Sequence, residues 1–122
     1  MDKNKAKWSA IATKKQRIRK DVFGDAARPR LSVYRSEKHI YGQVIDDVQG
    51  RTLFAISDLS KDLREQVKDL DPTAAAKAVG EALAVKALAG GVTKVVFDRN
   101  GRRYGGRLLA FAEGARAKGL QF

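Results

Sequence analysis

The chain has 122 residues with no cysteine and one histidine, and its 25 basic and 14 acidic residues give a net charge of +11. This length fits one domain, and the composition excludes a disulfide framework, a thiolate metal site and a His-rich metal site. No apolar run approaches the roughly 18 residues of a membrane span and no signal peptide is evident, so we expect a soluble cytoplasmic protein without metal or cofactor.

The positive charge is concentrated at one end of the chain. The first thirty residues hold ten basic and three acidic residues, whereas residues 31–122 hold fifteen and eleven. Each phosphate that Lys or Arg neutralises releases condensed counterions, so this excess predicts a phosphate-bearing polyanion as the partner. The alternatives are a charged surface that only maintains solubility and an anionic membrane, although the broad apolar face and lipidation signal of a membrane anchor are missing.

Residues 1–27 predict a basic RNA-binding arm. Trp8, Ile11, Ile18 and Val22 form a helical stripe that is too narrow to pack a stable helix alone. We therefore expect the arm to become ordered on its partner, and the alternative is a helix docked on its own domain. The candidate phosphate ligands in the arm are Lys14, Lys15, Arg17, Arg19 and Lys20.

Three antiparallel strands are predicted next. After Pro29, Leu31 and Val33 alternate with polar residues, which indicates a half-buried strand. Residues 39–45 repeat the alternation and pair with the first strand across a short polar turn, and residues 51–57 form a third strand. The result is a meander with one polar, aromatic face.

After the three strands, the apolar residues recur with the spacing of a helix. The apolar residues between 59 and 70 indicate a short amphipathic helix or a loop. Asp71 caps a longer helix whose first residue is Pro72 and which ends at Gly90. Its inward stripe consists of Ala75, Val79, Leu83 and Ala87.

The last elements are a strand and a helix. Residues 95–97 are an apolar run without alternation, which predicts a strand buried on both faces and parallel to a neighbour. A final helix runs from Gly106 to Gly119 and presents Leu108 and Phe111. The predicted fold is α/β: a three-stranded antiparallel meander plus a parallel strand, with two helices on one face (β-β-β-α-β-α). This domain spans residues 28–122 and follows the basic N-terminal arm of residues 1–27.

The outer face of the meander is the first candidate binding surface. Aromatic rings stack on unpaired bases, cations hold the backbone, and a glutamine pairs with a base edge or a 2′-hydroxyl. The alternative is that aromatic residues are there because they suit strands. The candidates on this face and its rim are Arg28, Arg30, Tyr34, Arg35, Lys38, His39, Tyr41 and Gln43.

The loop over residues 98–107 is the second candidate. Its glycines permit close approach of the backbone to an anion, and arginine offers bidentate phosphate geometry. The Gly-Lys-Ser/Thr ending of a P-loop is missing, which argues against nucleotide hydrolysis. We interpret Asp98 as a strand-end residue that orients one of the loop arginines. These arginines are Arg99, Arg102, Arg103 and Arg107.

Two other functions fit parts of the sequence. A ribonuclease-H-like nuclease holds divalent cations with carboxylates on neighbouring strands, for which Asp46, Asp47, Asp58 and Asp98 are candidates. Such an enzyme needs an acid in the middle of its first strand, where this chain has Val33 and Tyr34. A nucleoid-type DNA binder is the other alternative, and it would show little preference for folded RNA.

The chain resembles the bacterial family of 5S rRNA-binding large-subunit ribosomal proteins numbered eighteen. The resemblance extends over nearly the whole length and includes the basic arm. It is carried by residues 28–36, 38–41, 43–47, 76–80, 94–99 and 119–122, together with Gly101, Tyr104, Gly106 and Arg107.

The resemblance implies a non-catalytic constituent of the large ribosomal subunit. It implies binding to 5S rRNA, attachment of that RNA to 23S rRNA in the central protuberance, and contact with neighbouring large-subunit proteins, without a membrane or small-molecule substrate. It adds Tyr104 to the candidate RNA ligands. Two departures are Gly105, where the family often has histidine, and Gly42, where alanine is common and the strand is expected to flex more. Residues 60–71 match poorly and are assigned no RNA role.

Overall fold

A mixed four-stranded sheet with helices on one face forms the fold. The computed structural model describes residues 22–61, 63–101 and 105–122. The predicted arm up to residue 21 and the predicted loop ligands Arg102, Arg103 and Tyr104 lie outside these residues. The elements are β1 (Arg30–Arg35), β2 (Ile40–Asp46), β3 (Arg51–Ser57), α1 (Arg64–Val67), α2 (Pro72–Ala89), β4 (Val96–Asp98) and α3 (Gly106–Ala117).

The sheet has the strand order β3-β2-β1-β4. β1 pairs antiparallel with β2, β2 pairs antiparallel with β3, and β4 lies parallel to β1. The predicted meander with an added parallel strand is confirmed. Among the described helices, none is long and apolar enough to cross a membrane.

The core lies between the sheet and the two long helices. Leu31 and Val33 of β1 are fully buried, as predicted from the alternation, and they pack with Leu83 of α2 and Phe111 of α3. Burying a side chain of this size contributes about 1.5–3 kcal/mol relative to leaving it exposed. Since both helices cover the same face, the opposite face of the sheet keeps its polar and aromatic side chains near solvent.

The start and end of α2 follow the predicted signals. The Asp71 Oδ1 atom accepts a hydrogen bond from the Ala74 N–H at 2.8 Å, and Pro72 occupies the first turn. Gly90 caps the other end of the helix. The predicted stripe of Ala75, Val79, Leu83 and Ala87 is buried.

The segment before α2 is only partly helical. α1 is four residues long, and Val67 within it and Leu63 just before it are buried. Leu59 and Leu70, which the spacing placed on the same stripe, remain exposed. The helix is therefore shorter than the apolar repeat.

β4 differs from its prediction in burial. Val95 is buried, but Val96 and Phe97 within the strand are only half-buried. Burial on both faces was wrong because the long helices cover a single face of the sheet. The C-terminal residues instead pack beside β4. Phe122 stacks on Phe97 with ring centroids 5.5 Å apart. Gln121 forms backbone hydrogen bonds with residues 93 and 95, just before the strand.

Glycines permit close contact between the elements of the core. A Cβ atom on Gly80 of α2 would lie 2.1 Å from the Phe111 carbonyl oxygen, and one on Gly114 of α3 would lie 2.3 Å from the Lys77 carbonyl oxygen. A Cβ atom on Gly42 of β2 would lie 2.6 Å from Cζ of the Phe111 ring. Gly42 therefore makes room for this ring, a packing role that the sequence did not predict.

Replacing Gly80 with alanine tests the close approach of α2 and α3. We expect a net loss of about 1–3 kcal/mol in the free energy of unfolding, because the new methyl group forces a backbone shift that outweighs alanine's better helix propensity. Urea unfolding followed by circular dichroism measures the change. Gly105→Ala is the matched control, since its Cβ meets no atom within 4 Å. Equal stability of the two variants would contradict the packing role.

Candidate nucleic-acid interface

The outer face of β1 and β2 carries a polar, aromatic groove. Tyr34 and Tyr41 are directly paired across the two strands, with ring centroids 6.0 Å apart and planes inclined by 34°. Tyr34 is 46% exposed. The groove has a volume of about 560 Å³ and is lined by Ser32, Tyr34, Ser36, Tyr41, Gln43 and Asn100. Rings beside hydroxyl and amide groups are what an unpaired base requires for stacking and edge recognition.

The chemistry of this groove comes from the period of the strands. Leu31 and Val33 point into the core, so Ser32 between them and Tyr34 after Val33 must point outward. The register places Gln43 opposite Ser32 and Tyr41 opposite Tyr34, which gathers the four side chains on one side. The sequence predicted Tyr34, Tyr41 and Gln43 for this surface, and the structure brings all three together.

Three predicted cations lie at or near the ends of β1, and none of them lines the groove itself. Arg28 is exposed in a turn where the Asp25 Oδ1 atom accepts its backbone N–H at 2.8 Å. Lys38 is exposed in the turn between β1 and β2, and Arg35 is half-buried at the end of β1. Their phosphate contacts stay predictions.

His39 is held by a carboxylate. Its Nδ1 atom lies 3.0 Å from the Oδ2 atom of Asp58, and its imidazole is 37% exposed. The Oδ1 atom of Asp58 accepts the Ile40 N–H at 3.4 Å. Asp58 thus fixes the ring at the turn that begins β2.

Arg30 is buried, and its predicted place among the exposed cations of the rim was wrong. Its side chain is 6% exposed. The Nε and Nη2 atoms donate to the two Asp47 carboxylate oxygens at 2.9 and 3.0 Å, and Nη1 donates to Asp98 Oδ2 at 2.7 Å. The two acids are 17 and 68 residues away in the sequence, so only folding brings them to this guanidinium.

The ion pairs keep Arg30 charged. Burial by itself lowers the pKa of this guanidinium, but the hydrogen bonds and charges of Asp47 and Asp98 outweigh burial and raise the pKa above its ordinary value. A raised pKa in the folded state contributes stability that is present below the unfolded pKa and lost only as the pH rises through the folded pKa. The cluster is therefore insensitive to titration of Arg30 at neutral pH.

Asp98 and Asn100 hold the start of the arginine loop. Asp98 was predicted to orient a loop arginine, whereas its carboxylate binds Arg30 and accepts the Asn100 N–H at 2.9 Å. The Asn100 amide donates to Ser32 Oγ at 2.7 Å and to the Val33 carbonyl oxygen at 2.9 Å. Sequence reasoning missed Asn100. The sequence signal that could have identified this turn is the Asn-Gly pair, since asparagine and glycine adopt positive φ angles more readily than other residues. The φ angles here are 55° at Asn100 and 76° at Gly101.

Arg107 ties the start of α3 to the turn between β1 and β2. Its Nη1 and Nη2 atoms donate to the carbonyl oxygens of Glu37 and Ser36, each at 3.1 Å. Arg99 is half-buried at the other end of the loop. The phosphate contacts of both arginines stay predictions.

A larger groove of about 1200 Å³ lies between the β1–β2 turn and the starts of α2 and α3. Its charged lining is balanced, since three basic and three acidic side chains face it: Arg35, Lys77, Arg107, Glu37, Asp71 and Glu113. A balanced lining gives little attraction to a polyanion. The smaller tyrosine groove has no charged lining residue either, but its two rings and its amide groups match an unpaired base, so it is the better candidate.

The four carboxylates of the nuclease alternative have separate structural partners. Asp46 accepts the backbone N–H groups that follow it in the turn, Asp47 and Asp98 bind Arg30, and Asp58 binds His39. Within the described residues, no three His, Asp or Glu side chains are grouped to hold a metal ion.

The fold and the groove define a basic α/β protein with a sheet surface suited to nucleic acid. The family described as ribosomal L18 of archaea, bacteria, mitochondria and chloroplast matches residues 5–122. The chain therefore belongs to the ribosomal L18 family. This is a family of structural ribosomal proteins and not of enzymes.

Bacterial relatives agree with this assignment. The chain is 54% identical over 109 residues to a protein of Anaeromyxobacter sp. (strain Fw109-5). The aligned region covers 89% of this chain and 92% of the relative. It is 54% identical over 107 residues to a protein of Thermomicrobium roseum, covering 87% and 86%. It is 48% identical over 122 residues to a protein of Thermotoga petrophila, covering both chains completely. All three are named large ribosomal subunit protein uL18.

Replacing Arg30 with methionine tests the buried ion-pair cluster. Removal of one partner leaves Asp98 as an uncompensated buried charge, so we expect a loss of about 3–5 kcal/mol in the free energy of unfolding. Urea unfolding of the full chain gives the value. Arg28→Met is the control, because Arg28 is exposed and its replacement should change stability by less than about 0.5 kcal/mol. Similar losses in both variants would mean that the cluster does not hold the fold.

Proposed function

We propose that this chain binds 5S rRNA and helps to attach it to 23S rRNA in the central protuberance of the large ribosomal subunit. The coarser part follows from the family: the chain is a structural component of the large ribosomal subunit, which is cytoplasmic in bacteria. The choice of 5S rRNA is supported by the family resemblance. The observation that carries RNA binding is the tyrosine groove on the outer face of the sheet.

The groove suits an RNA strand whose bases are not paired. A-form duplex RNA shows side chains mainly its backbone and a shallow minor groove, whereas loops and bulges offer free base faces and edges. Tyr34 and Tyr41 offer ring faces, and Gln43 and Ser32 offer donors and acceptors beside them. β1 and β2 are the two central strands of the sheet, so the contacts are held on a rigid support.

The proposed cationic ligands have two roles: general attraction of RNA and precise positioning of its phosphates. The lysines and arginines of the arm supply sequence-independent attraction through counterion release. The arginines near the sheet and loop supply bidentate contacts that fix the position of a phosphate. The proposed RNA ligands are Lys14, Lys15, Arg17, Arg19, Lys20, Arg28, Tyr34, Arg35, Lys38, His39, Tyr41, Gln43, Arg99, Arg102, Arg103, Tyr104 and Arg107.

Attachment to the rest of the subunit needs surfaces beyond the 5S rRNA contact. The proposed partners are 23S rRNA and neighbouring large-subunit proteins of the central protuberance. The arm and the sheet face together provide contacts of two kinds, which allows one chain to touch two RNA segments.

Neutralising the arm tests its electrostatic role. We expect log K for 5S rRNA to fall with log salt by roughly 0.7–0.9 per phosphate contact, so changing Lys14, Lys15, Arg17, Arg19 and Lys20 to glutamine lowers the slope by about 4 if all five make contact. Fluorescence anisotropy across a potassium chloride series measures the slope.

The control for the arm is a chain with the same charge change elsewhere. Lys61, Arg64, Lys68, Lys86 and Lys118 are exposed and lie outside the arm and the outer face of the sheet. Their change to glutamine should leave most of the slope. Equal slopes in the two variants, or equal affinity of the natural chain for duplex DNA of matched length, would reject the proposal.

Replacing Tyr34 with alanine tests the groove. Loss of one stacked base costs about 1–3 kcal/mol, so we expect 5S rRNA affinity to fall roughly 5- to 150-fold. Tyr34→Phe keeps the ring and should retain most of the affinity. Val85→Ala is the control, because Val85 is an exposed apolar residue on α2. An affinity loss no larger than that of Val85→Ala would exclude stacking on Tyr34.

A further inference from the structure

Gly24 is attached to the folded domain by a pair of hydrogen bonds with Asp47. The Gly24 N–H donates to Asp47 Oδ2 at 2.8 Å, and the Asp47 N–H donates to the Gly24 carbonyl oxygen at 2.9 Å. Gly24 is buried, whereas its neighbours Phe23 and Asp25 are exposed. One residue of the N-terminal segment is therefore held in a defined place on the domain, at a residue 23 positions further along the chain.

The position of Gly24 accepts only glycine. A Cβ atom would lie 2.2 Å from the backbone nitrogen of Arg30 and 2.8 Å from the carbonyl oxygen of Ile45. These are backbone atoms of paired strands, which cannot move aside as the end of a flexible side chain can. The fit of the segment thus depends on a missing side chain as well as on two hydrogen bonds.

The Asp47 carboxylate is itself held rigidly. The oxygen that accepts the Gly24 N–H also accepts a hydrogen bond from Arg30 Nε at 2.9 Å. Arg30 in turn donates a hydrogen bond to Asp98. Charge-assisted hydrogen bonds of this kind fix both distance and direction. The Gly24 attachment is therefore connected to the same buried cluster that holds the start of the arginine loop through Asn100.

Most of the positive charge of the arm lies on the N-terminal side of this attachment. Residues 1–21 carry eight basic and two acidic residues and are linked to Gly24 through two intervening residues. Arg30 lies on the same side of β1 as Ser32 and Tyr34, because alternate residues of a strand share a face. The Asp47 carboxylate that holds Gly24 therefore binds a side chain on the face of the sheet that carries the tyrosine groove.

We propose that Asp47 and Gly24 position the arm for RNA binding without contacting RNA themselves. They fix the point from which the arm leaves, so that arm and groove engage one RNA together. Two linked contacts bind tightly only when the linkage suits both sites, because the second contact forms at an effective concentration that the linkage sets. This inference rests on the proposed RNA-binding function.

Two variants detach the segment in different ways. Asp47→Ala removes both side-chain acceptors, whereas Gly24→Ala crowds the segment against the backbone and Cβ of Arg30 but removes none of the groups that form the three hydrogen bonds of the guanidinium. Each is made in the natural chain and in the arm-neutral chain, in which Lys14, Lys15, Arg17, Arg19 and Lys20 are glutamine. Affinity for 5S rRNA and the salt slope are measured for every combination.

We expect each variant to lower 5S rRNA affinity about tenfold in the natural chain, which corresponds to about 1.4 kcal/mol. The salt slope should fall with it, because fewer arm cations reach phosphate. In the arm-neutral chain the same changes should alter affinity less than twofold. The double variant should be no weaker than Asp47→Ala alone, since both changes act on one attachment.

Gly114→Ala is the control for a general loss of stability. It introduces a comparable backbone clash between α2 and α3, away from Gly24, and should leave the affinity of the folded protein and its salt slope unchanged. If Gly24→Ala lowers affinity equally in both chains, or not at all in the natural chain, the positioning role is refuted. If the arm-neutral chain binds as tightly as the natural chain, the arm has no RNA role and the positioning inference is refuted as well. If the natural chain does not bind 5S rRNA, the proposed function itself fails.

Discussion

The buried guanidinium of Arg30 connects the segment at Gly24 and the loop at Asn100 through one cluster of charges. Arg30 begins β1 and lies between Asp47, at the turn after β2, and Asp98, at the end of β4, so it links the two strands that flank β1. A buried ion pair adds little stability compared with apolar packing, but it allows few alternative geometries once a partner is in place. Its main consequence here is position. The segment at Gly24 and the loop at Asn100 are each held by a carboxylate that Arg30 holds.

The placement of helices on a single face explains why the other face is available for binding. Gly80 and Gly114 let α2 and α3 approach backbone to backbone, and Gly42 makes room for the Phe111 ring beneath them. With the core complete on that side, the outward residues Tyr34, Tyr41 and Gln43 are not needed for core packing. The tyrosine groove and the buried core are therefore two consequences of the same strand alternation.

Much of the fold could be predicted because its signals are local. The strands at Leu31 and Val33 follow a period of two, and the helix that begins at Asp71 has a cap, a proline and a stripe in the expected order. The groove followed from the same period, since Tyr34 and Tyr41 had to share the outward face. Burial of β4 was predicted less well, because it depends on which layers cover a strand, and no local pattern contains that information.

The sequence by itself determined the class of partner, the architecture and the tyrosines on the outer face, because charge, period and capping act over a few residues. Only the tertiary structure decided that Arg30 is buried in ion pairs with two carboxylates and is not an exposed cation. Its partners are 17 and 68 residues away, and an arginine beside a proline has the same local pattern in either role. The same reason hid Asn100 and the Gly24 attachment, since both depend on hydrogen bonds that exist only after distant segments meet.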